Sequence, residues 1–139
     1  MTELLAEPGT YALWLRSETN HIVEIGKFGR LQMVPGFYIY IGSAFGPGGI
    51  KARVGRHLRQ EKNLRWHIDY LRQYTSPVKV WLAYEKHLEH QWAGKINKHR
   101  KTSIPLAGFG SSDCRCPTHL FYSEEILDHP SGAKRLTID

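Results

Sequence analysis

Arg53 and His57 are the first residues whose types and spacing point to chemistry. They lie four apart in a stretch from about Ile50 to Arg59, where Ile50, Val54 and Leu58 recur at i, i+4 and i+8. That period predicts a helix with those three residues inward. Arg53 and His57 then sit one above the other on a flank of the apolar stripe. A guanidinium beside an imidazole suits a phosphate-like anion. It equally suits two polar groups that flank a core helix and meet water. The preceding Gly42-Ser43-Ala44-Phe45-Gly46-Pro47-Gly48-Gly49 reads as a flexible glycine-rich loop. It is expected to leave the backbone N–H groups of the helix N-terminus open to an anion. No Gly-Lys-Ser/Thr follows, so this is not a P-loop. From Lys51 to Arg65, Lys51, Arg53, Arg56, Arg59, Lys62 and Arg65 face a lone acid, Glu61. Gly42, Ser43, Lys51 and Arg56 are the candidate nucleic-acid contacts.

A carboxylate comes from a later helix. Leu88, Trp92 and Ile96 repeat at helical spacing, and Glu89 is next to them in angle, pointing along the edge of the core. One Glu there is a reasonable oxygen ligand for Mg²⁺, which keeps most of its waters. The alternative is a first-turn Glu favouring the helix dipole. Tyr11 and Tyr40 lie in strand-like segments, where buried tyrosines are usually packing residues with a satisfied hydroxyl. Tyr11 shares strand parity with Leu13 and Leu15, which read as core. Cys114, Cys116 and His119 invite a structural zinc reading. Their C-x-C-x₂-H spacing and the lack of a convincing fourth ligand weigh against it. The alternative is a polar loop in which Ser111, Ser112 and Asp113 contact DNA or a metal.

The elements that must position these groups follow from pattern. Thr10 to Arg16 and His21 to Ile25 read as strands joined in a hairpin by Ser17-Glu18-Thr19-Asn20. Phe37 to Ile41 is the strongest strand signal. A short helix is expected around Leu64 to Leu71, a strand from Val78 to Tyr84, loop from Ser103 to Pro117, and a strand from Thr118 to Tyr122. Strands and helices mix without βαβ alternation. That predicts an α+β domain with a small, largely antiparallel sheet flanked by helices. The chain is expected to form a single domain over 1–139, with a core from about 8 to 123 and a C-terminal extension over 124–139.

The composition fits that picture. With 139 residues, 41% hydrophobic and 12% aromatic, the chain is long enough for one globular core and too apolar for disorder. The net charge of +6 favours polyanionic partners, nucleic acid first. Apolar runs such as Val80 to Tyr84 are too short to span a bilayer, and the N-terminus does not read as a signal peptide. No membrane association and a cytoplasmic location are expected.

Gly9-Thr10-Tyr11, then Tyr40-Ile41-Gly42-Ser43, then a helix carrying Arg53 resembles the GIY-YIG nuclease domain. Gly46 to Val54, Trp66 to Leu71 and Gly108 to Cys114 are similar to a poorly characterised branch of stand-alone or repair-enzyme-fused domains. The resemblance spans residues 8–123. It implies a metal-dependent endonuclease that hydrolyses DNA phosphodiester bonds, directed by structure or damage in DNA repair. It implies that Tyr11 helps deprotonate the attacking water and that Tyr40 positions water or phosphate. Arg53 then stabilises charge on the phosphate, and Glu89 holds Mg²⁺ or Mn²⁺. The sequence departs from the family at Thr10, at His57 where many members have tyrosine, and in lacking a match for an asparagine after the metal-binding helix. His57 is a candidate base or phosphate donor. A nucleic-acid-binding module without chemistry and an adaptor for a repair enzyme are the alternatives.

Overall fold

Gly9–Ser17 (β1) is apolar on both faces apart from its polar end, as a strand buried between two layers must be. In the computed structural model, which describes residues 4–26, 28–59, 66–109, 118–128 and 133–138, β1 lies inside a six-stranded antiparallel sheet. The other elements are His21–Ile25 (β2), Gly29–Met33 (β3), Gly36–Ala44 (β4), Gly49–Leu58 (α1), His67–Arg72 (α2), Ser76–Tyr84 (β5), Glu89–Asn97 (α3), Thr102–Ser103 (β6), Leu120–Ser123 (β7) and Lys134–Thr137 (β8). The sheet order is β6-β7-β4-β1-β5-β8. The expected α+β architecture is the observed one.

Strand alternation sorts the core into two layers. Tyr11, Leu13 and Leu15 of β1 join Ile50 and Val54 of α1 and Ile68 and Leu71 of α2 on one face. Ala12 and Trp14 join Ile39, Ile41, Trp81, Phe121 and the α3 residues Trp92, Ala93 and Ile96 on the other. Trp92 meets Trp81 edge-on with centroids 6.2 Å apart, which docks α3. Truncating a ring so buried costs roughly 3–5 kcal/mol. Leu58 is only half-buried, whereas His57 is 1% exposed. Leu58 packs against the core with Ile50 and Val54 as expected, and His57 joins them as a fully buried residue.

The expected β1–β2 hairpin does not form. Both edges of β1 are taken, by β4 and by β5, so β2 has nothing to pair with there. It pairs with β3 in a separate two-stranded sheet, turning at Gly26, whose φ of 49° suits glycine. Val23, Ile25, Leu31 and Met33 bury that ribbon in the layer that holds α1 and α2. The glycine-rich segment is also shorter than expected, because β4 continues through Gly42, Ser43 and Ala44.

Arg72, 3% exposed, closes the C-terminus of α1. Its guanidinium donates to the carbonyls of His57 (2.8 Å), Leu58 (3.2 Å) and Thr75. Arg72→Met strips buried carbonyls of a charged donor. It is expected to lower unfolding free energy by roughly 2–3 kcal/mol in a denaturant titration. A change below about 0.5 kcal/mol would mean that water replaces the guanidinium.

Candidate functional site

Tyr11 of β1 and Tyr40 of β4 face the same layer, with ring centroids 6.4 Å apart. The cross-strand partner of Tyr11 is Gly42, and a Cβ there would lie 2.4 Å from the Tyr11 hydroxyl oxygen. The glycine is what lets the phenol lie across β4. The hydroxyl is 2.8 Å from His57 Nε2, a buried contact from strand to helix. When that nitrogen is unprotonated, the phenol donates. The His57 ring also meets Tyr40 edge-on at 5.9 Å.

Burial pushes the Tyr11 phenol well above its ordinary pKa. Tyr40 and Glu89 act in the same direction, while Arg53 opposes through charge and a hydrogen bond. Tyr40 is pushed up to about 12, chiefly by burial and then by Glu89, with Arg53 again opposing. Both phenols are neutral near neutral pH. Each feels both Arg53 and Glu89, so the four residues share one electrostatic neighbourhood.

Arg53 is held on two sides. It donates to the Ser43 carbonyl at 3.3 Å, lies over the Trp66 ring with Cζ 4.7 Å from its centroid, and its charge lowers the Tyr11 phenol's pKa against burial. Arg56 lies over the same ring at 4.3 Å. Asp69, wholly buried, takes both Arg56 nitrogens at 2.7 and 2.8 Å and the Trp66 N–H at 2.8 Å. Through that backbone N–H it anchors Trp66 at the start of α2, and through Arg56 it holds a second guanidinium over the indole that Arg53 also covers. Arg56 serves that scaffold through its pairing with Asp69. Lys51 is exposed.

The helix N-terminus is not the open anion seat expected from sequence. Residues 5–7 cross over it. Ile50 N–H donates to the Glu7 carbonyl and Lys51 N–H to the Leu5 carbonyl, both at 2.9 Å. Gly49 N–H donates to Gly46 and Ala52 N–H to Gly48. The first amides of α1 are spent within the chain, so side chains must carry any anion recognition.

Glu89 begins α3, and Thr10 holds the loop that delivers it. The buried Thr10 hydroxyl donates to the Lys86 carbonyl at 2.7 Å and accepts from Leu88 N–H at 2.9 Å. Glu85, at a left-handed φ of 60°, donates from N–H to the Pro8 carbonyl. A cleft of about 120 Å³ opens between Thr10, Ser43, His87, Glu89 and His90. Thr10→Val loses both bonds and is expected to cost roughly 1–3 kcal/mol. Hydrogen exchange should show less protection of the Leu88 amide, while Thr10→Ser keeps it. Unchanged exchange in Thr10→Val would show that the loop is held by other contacts.

The sequence gives no signal for His90, and it points to Thr10 only as a motif departure, to Trp66 only within a similar segment and to His119 only as a zinc ligand beside Cys114 and Cys116. His119 is 2% exposed and its Nδ1 lies 3.7 Å from Glu89 Oε1. Cys114, Cys116, Ser111, Ser112 and Asp113 lie outside the described residues. Among the described residues no helix is long and apolar enough to cross a membrane. The family model described as "Domain of unknown function DUF123" matches residues 10–136. No curated protein and no solved structure matches the chain.

Proposed function

The chain belongs to the DUF123 family, and within it we propose that it acts as a metal-dependent endonuclease of the GIY-YIG type on DNA phosphodiester bonds. Its setting is structure- or damage-directed DNA repair in the cytoplasm, alone or beside a repair enzyme. One observation carries the reading. Tyr11, Tyr40, His57 and Arg53 meet where β1 and β4 pair, and both phenols feel the Glu89 charge. The +6 net charge suits a polyanionic substrate.

The residues divide the work. Arg53, oriented by Trp66 and Ser43, neutralises the charge that builds on the phosphate. Tyr11 cannot act as a phenolate, because burial keeps it protonated. It acts as a relay: it takes a proton from the attacking water while its own proton passes to His57 Nε2. Tyr40 orients that water. Glu89, with its side chain 25% exposed, is a carboxylate donor of the kind that would hold a divalent cation such as Mg²⁺ or Mn²⁺. That cation would supply Lewis-acid stabilisation of the phosphoryl oxygens.

The test incubates purified protein with duplex, flap, junction and single-stranded DNA in Mg²⁺ or Mn²⁺. EDTA-sensitive cutting of at least one substrate is expected, and its loss in Glu89→Gln. No product from any substrate with any divalent metal overturns the proposal. The burial that keeps the Tyr11 phenol protonated favours a second reading, a nucleic-acid-binding module without chemistry. That reading predicts salt-sensitive binding and no product.

A further inference from the structure

Glu89, His90 and His119 bring one carboxylate and two imidazoles together at the mouth of the site. Their ligand atoms all lie within 4.8 Å of one another. Glu89 Oε1 is 3.7 Å from His90 Nε2 and 3.7 Å from His119 Nδ1. Two ligands about 2.1 Å from one tetrahedral ion are themselves about 3.4 Å apart. Small side-chain rotations would therefore bring these three onto a single cation.

The cluster is built unevenly. His119 precedes β7 and is fixed on both sides of its backbone. Its N–H donates to the Phe109 carbonyl at 2.7 Å, and its carbonyl accepts from Ile41 N–H at 2.9 Å. Its side chain is 3% exposed and Glu89 is 25% exposed, whereas His90 is 63% exposed. Such a gradient offers a rigid inner ligand, a bridging carboxylate and an adjustable outer ligand. The open side faces the cleft beside Ser43, to whose carbonyl Arg53 also donates.

We propose that Glu89, His90 and His119 form a binding site for a divalent transition metal of the Mn²⁺, Co²⁺ and Zn²⁺ class, with coordination positions left open to water or a phosphate oxygen. Two imidazole nitrogens select against Mg²⁺, which prefers oxygen ligands and dehydrates reluctantly. Glu89 alone would bind Mg²⁺ and Mn²⁺ through oxygen and would not discriminate sharply. The inference rests on the nuclease reading for what the ion does. The binding of the ion stands apart from it.

The test is metal binding by the full chain without DNA. Isothermal titration is expected to give Co²⁺ and Zn²⁺ a dissociation constant at least about 10-fold tighter than Mg²⁺. His119→Ala and Glu89→Gln are each expected to weaken Co²⁺ at least about 10-fold, with a smaller loss in His90→Ala. Because His119 is buried, its variant may be read only if its melting curve is cooperative. The exposed His90→Ala keeps the test decisive if His119→Ala does not fold. The visible absorption of bound Co²⁺ should show nitrogen and oxygen ligands, with no thiolate charge-transfer band, and should persist in Cys114→Ser/Cys116→Ser. A thiolate band lost in that double variant, or Co²⁺ affinity unchanged in Glu89→Gln and His90→Ala, overturns the site. Tight Co²⁺ binding by a protein that cuts no DNA overturns the nuclease reading and leaves the metal site standing. Metal-dependent cutting without transition-metal selectivity does the reverse.

Discussion

Arg53→Ala is expected to slow metal-dependent DNA cleavage by about 10²–10³-fold, the usual loss when a preorganised charge is removed from a transition state. Two neighbouring cations on α1 are not placed to substitute for it. Arg56 is committed to Asp69 through two short bonds, and Lys51 is exposed on the surface of α1. Among the described residues, Arg53 combines a position over Trp66, a bond to the Ser43 carbonyl and a charge that acts on Tyr11. Arg53→Lys keeps the charge but loses the planar stack and the fork of donors, so it should recover little of the rate. Single-turnover cleavage at saturating protein separates rate from affinity. The drop is expected mainly in the rate, with binding weakened only a fewfold. Lys51→Ala should change the rate less than about threefold, as expected of a screened surface charge. Cleavage by Arg53→Ala within about twofold of the parent would remove Arg53 from the chemistry.

Arg53 and Tyr11 also show how far the sequence carries. The period Ile50, Val54 and Leu58 identified α1, and parity placed Tyr11 with Leu13 and Leu15, as observed. Periodicity reports which face of an element is buried. It does not report which edge a strand pairs with, so the sequence pattern pairs β2 with β1 although β4 and β5 occupy both edges. It does not report long-range backbone bonds either, so the crossing of residues 5–7 over α1 was invisible. Thr10 looked like a mere departure from a motif. Its role lies in two hydrogen bonds to residues far along the chain, Lys86 and Leu88. Nearness in sequence groups His119 with Cys114 and Cys116. The pairing of β7 with β4 also brings it close to Glu89, which the sequence does not reveal.

Gly42→Ala is expected to disable the site through one methyl group, and it tests the geometry without removing any chemical group. The new Cβ would meet the Tyr11 hydroxyl at 2.4 Å and its Cζ at 2.5 Å. The ring has little room to yield, because Tyr11 is 1% exposed and its hydroxyl is bonded to His57. Either the ring leaves its place or β1 and β4 move apart. Such overpacking costs roughly 1–3 kcal/mol. A reacting group displaced by about 1 Å commonly costs on the order of 10²-fold in rate. The stability change is a few degrees of melting temperature per kcal/mol, measurable in the absence of DNA. A double-mutant cycle identifies the cause. Tyr11→Ala removes the ring that the methyl strikes, so Tyr11→Ala/Gly42→Ala should be more stable than the two single losses predict, by about 1 kcal/mol or more. Strict additivity would mean that the methyl acts on the backbone of β4, and that the glycine is not there to seat the phenol.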